Sequence, residues 1–590
     1  MTGPGAVLEQ VLDVNAAMRV SRVSLLAGLF ITVAAVAFAD PATAPKTPDP
    51  ADTAKPRISD YLQGRTAQLD HDWRTAGEHI RRAWEADRDD TGLRHDALLL
   101  SVTGGNFAGA LEVARAVPAD STDAPLAHFI LMLDELAQGH YAVAEEKLAS
   151  TSRKGLDRYL TPLLSAWCEV GRGHKAEALG QLNVLDDVMG ASELRTVQTA
   201  MINDALGDHA QAAILYDKIL EGGNAPVHAL VEAAQFYARQ GNLDQARKAV
   251  EKLDPDGSSA SLRAELMARL ADKGHLAPAP DARSGAADAL FQIAASLMGE
   301  KQADLAPLLY AQFALHLRPD YPSAQVLLAE VDQRYGRLDD AAATLLAIDE
   351  KSELQSTGQR LAMALLDKAN ESDRAIKVGQ AAVKAHPGDI DLLLSYADLL
   401  REKSHYAEAI AAYDTALAKI PPTSNRKGLA LYHRGIAYQQ SHQWPHAETD
   451  LLAAMQLRPD DPGLLNYLAF SWADQGINLD RARTMLERAV QLVPDDGAIV
   501  DSLGWVMYRA GDFDDAVKQL ERAVSLDAND ATINDHLGDA YWRVGRQLDA
   551  RTQWEKAVRF SDDKTLTEQI KTKLRDGLDT ASPPRRASAN

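Results

Sequence analysis

At 590 residues the chain is long enough for several domains, and its 46% apolar and 25% charged residues are ordinary for a globular protein. The formal net charge of −22 sets the chain against phosphate backbones and excludes nucleic acid as an expected partner. One cysteine, Cys168, excludes an intramolecular disulfide and any multi-cysteine metal site.

The first segment speaks about location. Arg19 and Arg22 precede an uncharged apolar run at 23–39 that ends in Ala37-Phe38-Ala39. A basic start, a short apolar core and small residues where a signal peptidase reads describe a secretory signal peptide over 1–39. The run of 17 is short for a membrane span, so the alternative is a retained N-terminal anchor, with membrane association through this segment. Glu9 and Asp13 add acids ahead of the run, which points to Met18 as the start of translation. No cysteine stands near the cleavage point, so no lipid anchor is expected there. Five prolines in 40–56 read as an extended linker.

A regular ladder follows. Ala76, Ala110, Ala144, Ala178, Ala212 and Ala246 stand 34 residues apart, and Gly105, Gly139, Gly173, Gly207 and Gly241 keep the same interval. After a break the ladder resumes with Ala341, Ala375 and Ala409, passes Ala447 with four extra residues, and reaches Ala482, Ala516 and Ala550. Small residues let two helices approach closely, and a turn glycine can take the left-handed conformation at a helix end. Pro319, Pro387, Pro421, Pro459 and Pro494 stop one repeat before the next begins. With Leu503-Gly504, Gly511 and Ala516 in one copy and Leu537-Gly538, Tyr541, Gly545, Ala550 and Trp554 in the next, the pattern resembles the tetratricopeptide repeat family. The resemblance implies an all-α fold: a helix-turn-helix solenoid wound as a right-handed superhelix, with about fourteen helix pairs and a C-terminal capping helix.

The expected organisation is an N-terminal array over 57–255, an irregular break or hinge over 256–290, and a C-terminal array over 291–560. Its best repeats are 428–461, 497–530 and 531–564. The interval from Ala246 to Pro307 is 61 residues, not a multiple of the repeat, and one odd helix is expected near 259–273. Residues 562–579 read as the capping helix and 580–590 as a disordered tail.

Catalytic patterns are absent. The sequence holds no G-x-S-x-G, no H-E-x-x-H, no P-loop and no G-x-G-x-x-G, and its 16 histidines are scattered. Helix pairs occupy nearly the whole chain and leave no room for an enzyme domain of ordinary size. Cys168, beside Trp167, reads as an inert buried thiol. Neither an enzymatic activity nor a cofactor or metal is expected.

The segment 498–516 carries two helical stripes. Val500, Leu503, Gly504 and Met507 form a packing stripe. Asp501, Trp505, Tyr508 and Arg509 form a second, which the resemblance places on the inner wall of the superhelix, where ligand peptides bind. The neighbouring copies supply Asn466 and Phe470 on one side, and Asp535, Asp539, Trp542 and Arg543 on the other. Aromatic and arginine side chains are common interface anchors. Two readings stand: a surface that captures a protein or peptide partner, or packing between neighbouring helices with the acids bonded to backbone, Arg509 or Arg543. Two acids among Asn466, Asp501 and Asp535 repel a carboxylate, so a clamp for acidic chain ends is not expected here.

Over 430–560, N-Y-L-A-F at 466–470 and D-S-L-G-W at 501–505 resemble bacterial periplasmic tetratricopeptide adaptors, the group that partners a carboxyl-terminal processing protease. That resemblance implies a periplasmic, non-enzymatic scaffold that recruits a protease or cell-wall enzymes. The lipid-attachment cysteine of that group is missing. The alternatives are a scaffold of an envelope assembly, for polysaccharide export or outer-membrane biogenesis, and an inner-membrane anchor facing the periplasm.

Overall fold

The computed structural model describes residues 54–578, apart from 150–156, 189, 223–224, 254–259, 272–276, 299–304 and 423. The expected leader and tail, and the linker before residue 54, lie outside the described residues. Among the described residues there are thirty α-helices, one short 3-10 turn and no strand. Twenty-eight of the helices form fourteen antiparallel pairs, from Ala54–Leu69 with Trp73–Ala86 to Ala531–Arg543 with Gln547–Phe560. The two left over are Ala260–Ala271 and the terminal Lys564–Asp576. The all-α helix-turn-helix solenoid is therefore the architecture observed. No helix among the described residues is long and apolar enough to cross a membrane.

The ladder has a physical cause. Each of its thirteen alanines is wholly buried. A Cβ on Gly504 would lie 2.6 Å from Leu520, and one on Gly538 would lie 2.5 Å from Trp554. The paired helices touch at these points, where only a hydrogen or a methyl group fits. The turn between them is equally fixed. Its residue has positive φ where it is glycine, as at Gly207 (77°), and also where it is His71 (57°), Asn370 (63°) or Ser404 (65°). The turn geometry thus persists where the preferred residue is missing, at about 1–2 kcal/mol.

The chain divides into two compact units, one through Leu392 and the other from Leu393. The break expected at 256–290 falls inside the first. Helix Ala282–Leu297 packs on Asp157–Gly171 and Ser192–Ala205, and helix Ala306–Leu317 packs on Thr91–Thr103 and Ala124–Ala137. Gly285 makes this approach possible: a Cβ there would lie 2.2 Å from the Trp167 ring. The Trp167 indole donates to Gln198 at 2.6 Å, Gln198 donates to Asp288 at 2.7 Å, and the Tyr321 hydroxyl donates to Asp288 at 2.8 Å. Phe107 stacks on His316 with centroids 3.4 Å apart. Tyr335 meets His71 at 4.8 Å and Trp73 at 5.6 Å, and Arg337 lies 3.4 Å from Asp72. The first and eighth helix pairs therefore meet, and the first unit closes on itself. Cys168 is buried in this unit, and burial pushes its thiol far above the usual cysteine range.

The Trp167–Gly285 contact yields a direct test. Gly285→Ala should destabilise the first unit by about 1–3 kcal/mol through overpacking, read by chemical denaturation. Pairing it with Trp167→Leu, which frees the space, should cost less than the sum of the two single changes.

Candidate partner-binding face of the second unit

Helix Gly497–Ala510 starts where the Asp496 side chain accepts the backbone N–H groups of Ala498 and Ile499 at 3.0 and 3.1 Å. It ends at Gly511, with φ of 93°. Its first stripe, Val500, Leu503, Gly504 and Met507, is buried as expected of a packing face.

Its second stripe meets the adjacent helices. The Asp501 carboxylate is buried and lies 2.9 and 3.1 Å from Nδ1 of His536. Trp505 lies flat on the His536 ring, with centroids 4.0 Å apart and planes 14° from parallel. Tyr508 continues the stack, 4.9 Å from Trp505. The Arg543 Nε donates to the Tyr508 hydroxyl at 3.3 Å. Arg509 donates to the Asp474 carbonyl at 2.7 Å and has its guanidinium 5.9 Å from the Trp505 ring centre.

The last inner positions are taken by the chain's own terminal helix, Lys564–Asp576. Nζ of Lys573 lies 2.8 Å from each of the four carboxylate oxygens of Asp535 and Asp539. Asp539 also accepts the Trp554 indole N–H at 2.9 Å. The Trp542 indole donates to the Leu578 carbonyl at 3.1 Å. Asp501, Asp535, Tyr508 and Trp542 are therefore engaged in internal packing. The acids bond His536 and Lys573 rather than Arg509 or Arg543.

Electrostatics follow from that enclosure. Burial raises the Asp539 carboxyl to about 6, with Lys573 pulling against the shift and Asp535 adding to it. For His536, burial works to lower the pKa, but Asp501, with Asp535 and Asp539 further away, holds it above the ordinary histidine value. Lys573 is raised in the same way: burial opposes its charge, and the two carboxylates overcome burial.

What remains open is the other end of the stripe. Phe470 and Trp505 are half-buried. Phe470 lies 6.4 Å from the His536 ring. Among the described residues, Oδ1 of Asn466 and Nε1 of Trp505 are shut off from solvent and have no hydrogen-bond partner. Among the described residues no group of three or more His, Cys, Asp or Glu could hold a metal ion. The inner face offers hydrogen-bonding and apolar contacts rather than reactive groups.

Two residues escaped the sequence reading, His536 and Lys573. The register contained both. Adding 34 to Ser502 gives His536, and adding 34 to Asp539 gives Lys573. The inner row therefore runs Phe470, Trp505, Asp539, Lys573, and the terminal helix supplies its next member.

Two family models match the chain: a TPR repeat at 504–545 and a tetratricopeptide repeat at 360–424. The chain carries tetratricopeptide repeats. It is similar to a TPR repeat-containing protein of Pseudomonas aeruginosa, 30% identical over 188 residues, which cover 31% of this chain and 31% of that protein. It is also similar to bacteriophage adsorption protein A of Escherichia coli, 34% identical over 98 residues, covering 17% of this chain and 9% of that protein. The chain thus spans less than a third of the length of these curated relatives. Among solved structures, YrrB, described as a TPR protein with an unusual peptide-binding site, shows 21% identity and a TM-score of 0.27, covering 33% of this chain and 97% of YrrB. Cut9–Hcn1 shows 17% identity and a TM-score of 0.36, covering 90% of this chain and 99% of that one. Repeats of this kind are protein-interaction modules that bind peptides or proteins, and neither matched family is an enzyme.

Removing Lys573 should leave two enclosed carboxylates without a cation. Lys573→Met should destabilise the second unit by on the order of 3 kcal/mol, and adding Asp539→Asn should restore part of that, both read by denaturation. The histidine sets a pH dependence. A raised folded pKa contributes stability that is complete below the ordinary histidine pKa and is lost as pH rises through the folded value. Ionisation of Asp539, raised to about 6, works in the same direction at lower pH. The melting temperature of the second unit should therefore fall as pH rises above about 6 and through the raised pKa of His536, and His536→Gln should flatten that fall.

Proposed function

We propose that the chain is an exported, non-enzymatic scaffold that captures protein segments on the inner face of its second unit. In this reading it recruits a periplasmic protease or cell-wall enzymes to what it holds. The observation that carries the capture site is the pair of half-buried rings, Phe470 and Trp505, on helices of neighbouring repeats. An extended peptide laid along this face meets both rings. An apolar side chain of that peptide would lie on Phe470.

The rigid stack beneath the site supports capture by preorganisation. Trp505 is clamped between His536 and Tyr508, so little side-chain entropy is left to lose on binding. Repetition along the array lets several weak contacts add through effective concentration. The apolar leader at 23–39 supports export. The envelope-assembly reading has one observation in its favour: a relative named for bacteriophage adsorption, matched over 17% of this chain.

Crosslinked pull-down from the envelope fraction, read by mass spectrometry, tests the proposal. Trp505→Phe removes the indole N–H and part of the stacked ring area, so it should weaken capture and lower stability by about 1 kcal/mol. The double change Trp505→Ala with Tyr508→Ala should weaken capture by about tenfold or more. Capture that survives both unchanged would reject this face as the site; loss of helicity in the double variant would assign the stripe to packing alone.

A further inference from the structure

The first described helix, Ala54–Leu69, carries an apolar face that no other element covers. Its buried side is set by Gly64 and Ala67, and a Cβ on Gly64 would lie 2.7 Å from Ile80 of the paired helix. Ile58, Leu62 and Leu69 stand on the opposite side at helical spacing and are 59%, 58% and 69% exposed. Tyr61 beside them is 38% exposed. The other large exposed apolar side chains among the described residues, such as Val143, Ile214 and Leu548, lie singly, no two on one element. Single exposures of that kind are ordinary, whereas a cluster marks a surface with a partner.

The repeat register treats this face as core. Ile130 and Leu164 stand two and three repeats after Leu62, and both are wholly buried. Later pairs set their first helix on the pair before them, as Gly497–Ala510 packs on both Pro462–Gln475 and Leu479–Leu492. Among the described residues no pair precedes Ala54–Leu69. The terminal helix Lys564–Asp576 solves the same problem at its end of the second unit with a polar exposed side, where Lys564, Glu568, Lys571, Thr572 and Arg575 meet solvent. A solenoid end needs such a polar cap to stay apart from other molecules, and the first helix has none.

We propose that the Ile58–Leu62–Leu69 face is a self-association surface, covered by the same helix of a second copy of this chain. Charge argues for this occupant. Each copy has a formal net charge of −22, so two copies repel at a distance and meet most readily where a face carries no like charge. Asp60 and Arg65 are drawn off the stripe: Asp60 lies 2.7 Å from His79, and Arg65 donates to Asp96 of the next pair. The exposed residues between the apolar ones, Ser59, Gln63 and Thr66, are uncharged. Such a face is its own complement. Two copies set antiparallel about a two-fold axis bring Ile58 of each to Leu69 of the other, with both Leu62 side chains near the axis. The area covered is on the order of 1,000 Å² in total, the lower end for a specific complex, so the dimer is weak and reversible. This face lies in the first unit and is independent of capture at Phe470 and Trp505.

Analytical ultracentrifugation of the full exported chain tests the proposal. The mass should rise from monomer toward dimer between about 1 and 300 µM. Added salt should strengthen the dimer, because screening weakens the repulsion between two acidic copies. Leu62→Glu should hold the chain monomeric throughout that range and leave its melting temperature at low concentration unchanged, since Leu62 is exposed in the single chain. Leu62→Cys gives a second readout, which the buried Cys168 does not disturb. Mild oxidation should link two copies through Leu62→Cys, while Leu548→Cys, at a position 83% exposed, should link none. A parent that stays monomeric, a dimer that survives Leu62→Glu, or equal linking by the two cysteine variants would each overturn the proposal. So would a monomeric parent in which Leu62→Glu abolishes binding to phospholipid vesicles, which assigns the face to a membrane, or lowers the melting temperature, which assigns it to the chain's own preceding segment.

Discussion

The contact between the two helices of a pair is the constraint from which the remaining features follow. Ala516 is wholly buried at that contact, and Gly504 leaves no room for a Cβ against Leu520. Contact this close fixes the crossing of the two helices and so the orientation of each pair on the next. Side chains one repeat apart then meet in register. That is why Asp501 finds His536, and Asp535 and Asp539 find Lys573. A larger residue at the crossing would disturb its own pair and the inner stripe above it.

The same register lets the chain cover much of its own inner surface. In the first unit, helices Ala282–Leu297 and Ala306–Leu317 lie against earlier helices, held by Trp167, Gln198 and Asp288 and by the Phe107–His316 stack. In the second, the terminal helix buries little but Ile570, and the Lys573 ion pairs secure it. Inner-wall residues thus serve structure first.

The repeat was legible because it is local: an alanine and a glycine at fixed spacing dictate a tight helix pair wherever they occur. Fourteen pairs and a terminal helix follow from that spacing. Closure of the first unit was not legible. It depends on small rotations accumulated over eight pairs, which bring Tyr335 to His71 and Trp73. No sequence window spans that distance, and Gly285 carries no mark of the Trp167 ring above it. The second stripe was legible as a stripe, including Asp501, Trp505 and Tyr508, but the partners of its acids were not. His536 sits one residue past Asp535 in a copy already read, off the stripe, and Lys573 needed the register to be extended one repeat further, into a helix read only as a cap.

Internal pairing of those acids decides what kind of partner the second unit can hold. A cation arriving at Asp501, Asp535 or Asp539 meets carboxylates already bound to His536 and Lys573, so displacement would have to cost less than the new pair returns. Attraction by charge is therefore weak at this face, despite a formal net charge of −22 for the whole chain. In the proposed capture, binding there rests on the Phe470 and Trp505 surfaces, which an apolar side chain of an extended segment can meet. Such contacts are tolerant of sequence and little affected by salt, the properties a scaffold needs to hold varied proteins.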